Sequence, residues 1–330
     1  PVLNFGVGTN TSIDSLLIIW PDDSFQKMVN VKPNQTLIIK LADAKEKWIY
    51  NTEVHTVAPL FTQTAMPDVH HRENAFSDFT VQGLLPNYLS RQGPCIEVAD
   101  VNKDGLDDFF IGGAKDQASQ LFIQNTNGTF AAKQQPAFVN DAKSEDVAAT
   151  FFDADNDGDK DIYVASGGFE FSEDDPALQD RLYINDGSGN FTSKQNALPQ
   201  LRSSKGCVKA GDIDGDGDPD LFVGGRVVSG KYPTAPHSYI LINDGKGNFT
   251  DATANVCAAL QQPGMVTDAL FTDLNNDKLT DLIVVGEWMP IKVFINQKGK
   301  FTDASAEYIH FVSSGWWNNI FADDMDGDGD

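Results

Sequence analysis

Polar and apolar residues follow the same order four times along this 330-residue chain. An apolar pair at two-residue spacing comes first, a polar loop follows, and a continuous apolar run comes directly after the loop. The spacing predicts a strand with one buried face, and the β-prone run after the loop predicts a second strand. The pairs are Ile96 with Val98, Ala149 with Phe151, Val208 with Ala210 and Ala269 with Phe271, and the runs cover 109–111, 162–164, 221–223 and 282–284.

A third apolar run and a turn complete each repeat. The third runs begin at Leu121, Leu182, Ile240 and Val293. The turns cover 185–191 and 243–249, which both open with Asn-Asp-Gly, and 125–130 and 296–301, and each ends on a phenylalanine. Asn, Asp and Gly in that order are strong hairpin signals. Each period therefore predicts a four-stranded antiparallel unit with the size and content of a β-propeller blade, so the predicted fold class is all-β.

The polar loop of each repeat is a nine-residue ladder of aspartates that returns five times, after 53, 59, 61 and 51 residues. Positions 1, 3, 5 and 9 are Asp or Asn wherever the chain includes them, and position 7 can add a backbone carbonyl. Oxygen ligands at this spacing are typical of calcium, and the lack of His and Cys argues against zinc or copper. We predict four complete calcium sites and a truncated fifth. The predicted ligands are Asp100, Asn102, Asp104, Leu106 and Asp108; Asp153, Asp155, Asp157, Asp159 and Asp161; Asp212, Asp214, Asp216, Asp218 and Asp220; Asp273, Asn275, Asp277, Leu279 and Asp281; and Asp324, Asp326, Asp328 and Asp330.

The first half of the ladder also opens an EF-hand, but the second half does not. An EF-hand needs a bidentate Glu at position 12 and flanking helices. Position 12 is instead Ile111, Val164, Val223 or Val284, each inside a β-prone run. The loops are therefore predicted to join two strands.

The net charge of -24 comes mostly from the ladders, which hold 21 of the 48 acidic residues. The other acids nearly balance the 24 basic residues, and so acidic a chain is not expected to bind nucleic acid. No membrane span is visible in the sequence. Loops of this kind fill near the ~10⁻⁴–10⁻³ M calcium affinity of extracellular modules, so we expect an extracellular or cell-surface protein of bacterial type.

These repeats resemble the FG-GAP or VCBS-type family, whose calcium loops also occur in integrin α-subunit propellers, over residues 58–330. The segments 3–8, 14–21 and 30–36 resemble the second half of an ASPIC/UnbV domain. The first resemblance implies a seven-bladed propeller. We therefore expect a piece of a longer protein: residues 1–45 end an ASPIC/UnbV-like domain, 46–93 form a linker and lead-in, and 94–330 form a truncated propeller whose other blades, like its signal peptide, lie outside this chain.

Candidate chemistry beyond the ladders is sparse. Cys95 and Cys207 occupy equivalent places in two blades and are read as small core residues rather than as a disulfide. His70, His71 and Glu73 lack a completing metal motif, so a capping or docking segment is expected there. No nucleophile elbow, P-loop or dinucleotide fingerprint appears. We therefore expect no enzyme, although a hidden carboxylate pair leaves open an accessory propeller of a carbohydrate-active hydrolase or lyase.

Antiparallel order predicts where a ligand binds. The calcium loops and the Asn-Asp-Gly turns share one face, and the longer insertions share the opposite face, which we call the insertion face. Variable loops on a rigid scaffold are the usual place for binding. We predict that the insertion face binds an extracellular protein or glycan through aromatic residues, with the metal serving a structural role. The aromatic candidates are Phe169, Phe171, Tyr232, Trp288 and Trp316.

Overall fold

The structure is a computed structural model that describes residues 3–50 and 67–323. The fifth ladder, Asp324, Asp326, Asp328 and Asp330, lies outside the described residues. The chain divides into two compact units, Pro1–Thr64 and Ala65–Asp330, and we describe each by itself. None of the helices in the described part of the chain is long and apolar enough to cross a membrane.

The first unit contains a small antiparallel sheet. Its strands, in the order β1-β2-β3, are β1 (Ile13–Ile19), β2 (Ser24–Val31) and β3 (Glu46–Lys47), with a 3-10 turn at Leu41–Asp43. Asp23 takes a positive φ of 62° in the tight turn between β1 and β2. Its side chain is short and polar, and such residues tolerate the left-handed conformation better than most.

The second unit contains four antiparallel blades, as the sequence pattern predicts, and each blade follows chain order from strand to strand. Blade 1 holds β4 (Ile96–Ala99), β5 (Asp108–Ile111), β6 (Gln120–Gln124) and β7 (Phe130–Lys133); blade 2 holds β8 (Asp146–Phe152), β9 (Asp161–Ser166), β10 (Arg181–Asn185) and β11 (Phe191–Ser193). Blade 3 holds β12 (Ser204–Gly211), β13 (Asp220–Val227), β14 (Tyr239–Asn243) and β15 (Phe249–Asp251); blade 4 holds β16 (Met265–Thr272), β17 (Asp281–Met289), β18 (Lys292–Asn296) and β19 (Phe301–Asp303). A short β20 (Gly315–Trp316) pairs with the end of β17.

Short helices lie in the connections. Helix α1 (Pro136–Asn140) joins blades 1 and 2, α2 (Thr253–Val256) and a 3-10 turn at Ala258–Leu260 join blades 3 and 4, and α3 (Ser305–Tyr308) follows β19. Two further 3-10 turns lie in the lead-in, at Asp78–Thr80, and between β9 and β10, at Pro176–Leu178. Pro136 begins α1, where its missing N–H costs no hydrogen bond.

The hydrophobic core is divided among the interfaces between neighbouring blades. The residue four places before each ladder shows this. In blades 2, 3 and 4 this residue is Ala149, Val208 and Ala269, and each packs among residues of the preceding blade. Ile96 holds the equivalent place in blade 1 and is exposed, as is Val98. These two side chains were predicted to be buried, but no described blade packs on that side of blade 1.

The cysteines behave as the sequence analysis expected. All three are free thiols in the described chain. Cys207 is buried in the core between blades 3 and 4, and Cys95 packs at the interface between blades 1 and 2.

The lead-in segment 67–93 packs on the blades. Leu85 and Leu89 form a cluster with Phe169, Val227 and Met265, which come from blades 2 to 4. The buried Asp78 carboxylate organises the segment, because it accepts hydrogen bonds from the backbone N–H groups of Leu89 and Ser90. The lead-in therefore covers part of the insertion face.

Candidate functional site

Each described ladder folds into a tight loop between the first and second strands of its blade. The position 1 carboxylate accepts a hydrogen bond from the position 6 N–H, as in Asp100 with Gly105 at 2.8 Å and Asp153 with Gly158 at 2.9 Å. Both glycines have positive φ, which costs a residue without Cβ very little. The contact curls the loop so that alternate side chains face inward.

The position 9 aspartates are buried in all four described ladders: Asp108, Asp161, Asp220 and Asp281. In blade 2, Asp161 Oδ2 accepts the N–H of Ala154 at 2.9 Å, and Oδ1 accepts the N–H of Asn185 at 2.8 Å. The other three aspartates make the same pair of bonds. Position 9 thus fastens the loop to the end of the third strand, in addition to its predicted role as a ligand.

The second and third ladders bring their carboxylates together most closely. In the second ladder, one carboxylate oxygen from each of Asp153, Asp155 and Asp161 lies within 4.8 Å of the other two. In the third ladder, the same is true of Asp212, Asp214 and Asp216. In the second ladder, Oδ1 atoms of Asp153, Asp155 and Asp159 are buried and have no hydrogen-bond partner. Buried, unpaired carboxylate oxygens aimed at one region are a donor set that suits a hard cation.

Burial and like charge raise the pKa of several ladder carboxyls. Desolvation is the largest cause for Asp159, whose pKa is raised to about 6, and for Asp161 and Asp220, whose pKa values are raised to about 7. Neighbouring ladder aspartates add to each shift. Without a counter-charge, these loops hold their negative charges at an electrostatic cost.

The first and fourth ladders use an amide to relieve this repulsion. Asn102 Nδ2 donates to Asp104 Oδ2 at 3.0 Å, and Asn275 Nδ2 donates to Asp277 Oδ2 at 3.1 Å. Lys278 holds position 6 of the fourth ladder at φ 70°, a conformation that favours glycine. The structure thus leaves the fourth loop with fewer converging carboxylates and a strained turn.

The turn between the third and fourth strands binds the neighbouring blade. Asn243 Nδ2 donates to the carbonyl oxygen of Ala154 in blade 2 at 2.9 Å and to that of Pro219 in its own ladder at 3.2 Å. Asn185 and Asn296 make the equivalent inter-blade bonds, each at 2.8 Å. We call this contact the asparagine clip. The sequence analysis assigned these residues only to hairpin turns, because the exposed Asn125 holds the same place in its repeat without making the contact.

The prediction that five aromatic residues of the insertion face contact a ligand is wrong for two of them. Phe169 is 0% exposed and Phe171 is 5% exposed. Phe169 packs under the lead-in with Leu85 and Leu89, and the Lys115 ammonium lies 5.0 Å from the centre of the Phe171 ring. Neither ring can stack on a ligand, because both are buried.

The other three aromatics form one cluster at the end of blade 4. Trp288 is 60% exposed and Trp316 is 42% exposed, and their rings meet edge to face with centroids 5.2 Å apart. Trp288 Nε1 donates to the Tyr232 hydroxyl at 2.6 Å. Pairing of β20 with β17 holds Trp316 beside Glu287. We call these three residues the aromatic patch.

A small cavity opens beside this patch on the insertion side. It has a volume of about 200 Å³ and is lined by Asn87 and Gln92 of the lead-in and by residues near the starts of the first strands of blades 2, 3 and 4, among them Val147, Gly206 and Thr267. The buried Arg226 and Glu287 form an ion pair of 2.5 Å in its wall. The cavity is polar and is closed in part by the lead-in.

Comparison with known proteins identifies both parts of the chain. A family model described as FG-GAP-like repeat matches residues 100–164, 171–223 and 273–330, and one described as ASPIC and UnbV matches residues 1–46. No curated protein matches this sequence. Among solved structures, the V. cholerae biofilm matrix protein Bap1 is 16% identical with a TM-score of 0.29, over 65% of this chain and 30% of that chain. The chain thus spans about a third of the length of that protein, and so low a TM-score adds nothing to the fold.

Proposed function

This chain belongs to the FG-GAP-like repeat family, and from its geometry we propose that it is a calcium-stabilised propeller module that binds a glycan outside the cell or at its surface. The aromatic patch carries the binding part of the proposal. Exposed Trp288 and Trp316 rings offer apolar faces to a sugar, and the Tyr232 hydroxyl supplies a polar group at their edge. Aromatic anchors of this kind dominate the energetics of many binding surfaces.

Calcium is proposed as the element that makes the scaffold rigid. The residues that would hold it are those of the ladder loops, with the strongest support in the second ladder, where three buried oxygens lack partners. Bound calcium would supply the positive charge that lets the raised-pKa carboxyls ionise at neutral pH. The loops of blades 1 to 3 are also tied to the next blade by an asparagine clip, so the ion would stiffen those interfaces as well as the loops.

The extracellular location follows from this role. We propose that the ladder loops bind Ca²⁺ with the ~10⁻⁴–10⁻³ M affinities of extracellular modules. Calcium at such concentrations is found outside cells. A protein that needs these loops filled is therefore proposed to work there.

A calcium titration tests the structural part. We expect the thermal midpoint of the chain to fall on chelation and to rise again with added Ca²⁺, because filling the loops is coupled to folding. Asp155→Ala removes a buried, unpartnered oxygen and should reduce the calcium-dependent rise, whereas Glu307→Gln changes an exposed acid and should not. Equal midpoints with and without chelator would contradict the proposal.

A glycan array with calcium-loaded protein tests the binding part. We expect Trp288→Ala and Trp316→Ala to weaken any detected binding about tenfold or more, as is usual for central aromatic anchors. Val139→Ala replaces a similarly exposed apolar residue on α1 and should leave binding unchanged. Binding that survives both tryptophan changes would remove the aromatic patch from the proposal, and capture of a protein but no glycan would change the partner class.

The competing function is an accessory propeller of a hydrolase or lyase, which calls for two converging carboxylates in an accessible crevice. Glu145 and Glu170 do lie side by side on the insertion side. Glu145, however, is 1% exposed, and neither residue lines the cavity of about 200 Å³ described above. This burial favours the binding module over a catalytic pair.

A further inference from the structure

A series of hydrogen bonds links each described ladder to the next. In blade 2, Oδ2 of Asp161 at ladder position 9 accepts the N–H of Ala154 at position 2, at 2.9 Å. The carbonyl oxygen of Ala154 accepts Nδ2 of Asn243 from blade 3, also at 2.9 Å. The backbone N–H of Asn243 donates in turn to Oδ1 of Asp220, position 9 of the third ladder, at 2.8 Å.

The same three bonds recur at the other two junctions between described ladders. Between the first and second ladders they join Asp108, Val101, Asn185 and Asp161. Between the third and fourth ladders they join Asp220, Ile213, Asn296 and Asp281. We call the whole series, from Asp108 to Asp281, the inter-ladder chain.

The inter-ladder chain is buried along its whole length. Each of its ten residues is 4% exposed or less. Water therefore cannot replace a bond that breaks there, and buried polar groups are rarely left without a partner. A displacement of one ladder either moves the next ladder with it or leaves a buried donor or acceptor unpaired.

The inter-ladder chain contacts the positions predicted to ligate calcium. Position 9 is itself a predicted ligand, and position 2 lies between two others, since Ala154 follows Asp153 and precedes Asp155. The Oδ1 atoms of Asp153 and Asp155 are buried and have no hydrogen-bond partner. One clip asparagine, Asn243, thus contacts the backbone between two predicted ligands of the second ladder and a predicted ligand of the third.

We propose that the ladders bind calcium cooperatively, each filled ladder raising the calcium affinity of its neighbours through the clip asparagine. This inference rests on the proposed calcium binding and adds how the sites affect one another. A filled loop fixes positions 1, 3 and 9, and through the inter-ladder chain it also fixes the clip of the next blade. The neighbouring loop then has less order to gain when its own ion binds, so it binds more tightly. The effect is equal in both directions, because a coupling free energy is reciprocal.

Nuclear magnetic resonance of the chain labelled with ¹⁵N-glycine measures each ladder separately during a calcium titration. The N–H of Gly158 donates to Asp153 Oδ2 at 2.9 Å in the second ladder, and that of Gly217 donates to Asp212 Oδ2 at 3.1 Å in the third. Asp212→Ala removes a predicted ligand of the third ladder but no member of the inter-ladder chain. We expect it to raise the calcium midpoint of the Gly158 signal about fivefold or more, within the usual range of coupling between sites.

Removal of the clip separates coupling through the inter-ladder chain from a general effect of Asp212→Ala. In an Asn243→Ala background, Asp212→Ala should no longer change the calcium midpoint at Gly158. Asn296→Ala is the matched control, because it removes an equally buried clip from the next junction. In that background the change at Gly158 should persist.

The junction between the third and fourth ladders gives a second test that does not need the Asn243→Ala variant to fold. Asp273→Ala removes a predicted ligand of the fourth ladder and should raise the calcium midpoint of the Gly217 signal. Asn296→Ala should abolish this effect, because Asn296 carries the clip at this junction.

The outcomes distinguish this inference from the proposed function on which it rests. Calcium-dependent shifts at Gly158 and Gly217 whose midpoints ignore the neighbouring ladder would overturn the cooperativity and leave the calcium role standing. A midpoint change at Gly158 that persists without Asn243 would overturn the part assigned to the clip. No calcium-dependent shift at either glycine would overturn both the cooperativity and the calcium role.

Discussion

Replacing Asn243 by alanine should weaken the interface between blades 2 and 3. The side chain is buried and makes three hydrogen bonds, two through Nδ2 to the carbonyl oxygens of Ala154 and Pro219 and one through Oδ1 from the N–H of Gly245. A buried hydrogen bond contributes ~0.5–1.5 kcal/mol net, so we expect Asn243→Ala to lower the free energy of unfolding by ~2–4 kcal/mol.

The chain contains a matched control for this change. Asn125 holds the same turn position in blade 1 but is exposed, and its Nδ2 reaches only Thr129 in its own turn, at 3.1 and 3.2 Å. Asn125→Ala should therefore cost less than ~1 kcal/mol, because water can replace bonds made at the surface. The two variants remove the same side chain from the same turn position, but only Asn243 is buried and bonded to a neighbouring blade.

Urea unfolding in saturating calcium measures the difference in the free energy of unfolding between the two variants. Hydrogen exchange at the Gly245 amide shows whether the loss arises at the turn of blade 3. We expect Asn243→Ala to shift the urea midpoint and to speed exchange of the Gly245 amide, with Asn125→Ala close to the wild type. Equal losses in the two variants, or a loss below ~0.5 kcal/mol in Asn243→Ala, would refute the clip as a stabilising contact.

Three further changes test other parts of the scaffold. Lys278→Gly should raise the free energy of unfolding by ~1 kcal/mol in a thermal or urea melt, because glycine adopts the φ of 70° without strain; a loss of stability would contradict this. Burial raises the pKa of Glu97 to about 7, above its value in the unfolded chain, so the protonated carboxyl should stabilise the fold at low pH and this stability should be lost as the pH rises through about 7. Glu97→Gln should make the thermal midpoint depend less on pH between pH 5 and 8. An unchanged pH dependence of the midpoint would count against this prediction. Asp180→Ala strands the fully buried ammonium of Lys205, 3.0 Å away, and should cost ~3–5 kcal/mol in urea unfolding, whereas Glu173→Ala breaks an exposed pair and should cost ~0–1 kcal/mol.

The repeat architecture was readable from sequence because it depends on local periodicity. Two-residue alternation, the ladders and the Asn-Asp-Gly turns each specify a strand or a connection within about ten residues, and the observed blades follow chain order as that pattern predicts. The exception was Ile96 with Val98, whose burial depends on a neighbouring blade rather than on their own strand.

The contacts that sequence analysis missed join residues distant along the chain. Asn185 lies 84 residues from its partner Val101, and no local pattern distinguishes a turn asparagine that clips a neighbour from one that faces water. The lead-in gave no periodic signal, so its packing over Phe169 was not foreseen. Glu145 and Glu170 were two acids among 48, and only the fold brings them side by side.

The asparagine clip also bears on how such chains can be cut and rejoined. Because the ladder of one blade is bonded to a turn of the next blade, the cooperative unit does not coincide with a single blade. It extends from the ladder of one blade to the turn between the third and fourth strands of the next. A junction placed between blades would separate the two halves of this unit unless the incoming segment carries its own asparagine. Grafting a blade from a relative, or lengthening the array by duplication, should succeed most often when the exchanged segment matches its new neighbour at both the ladder and the turn.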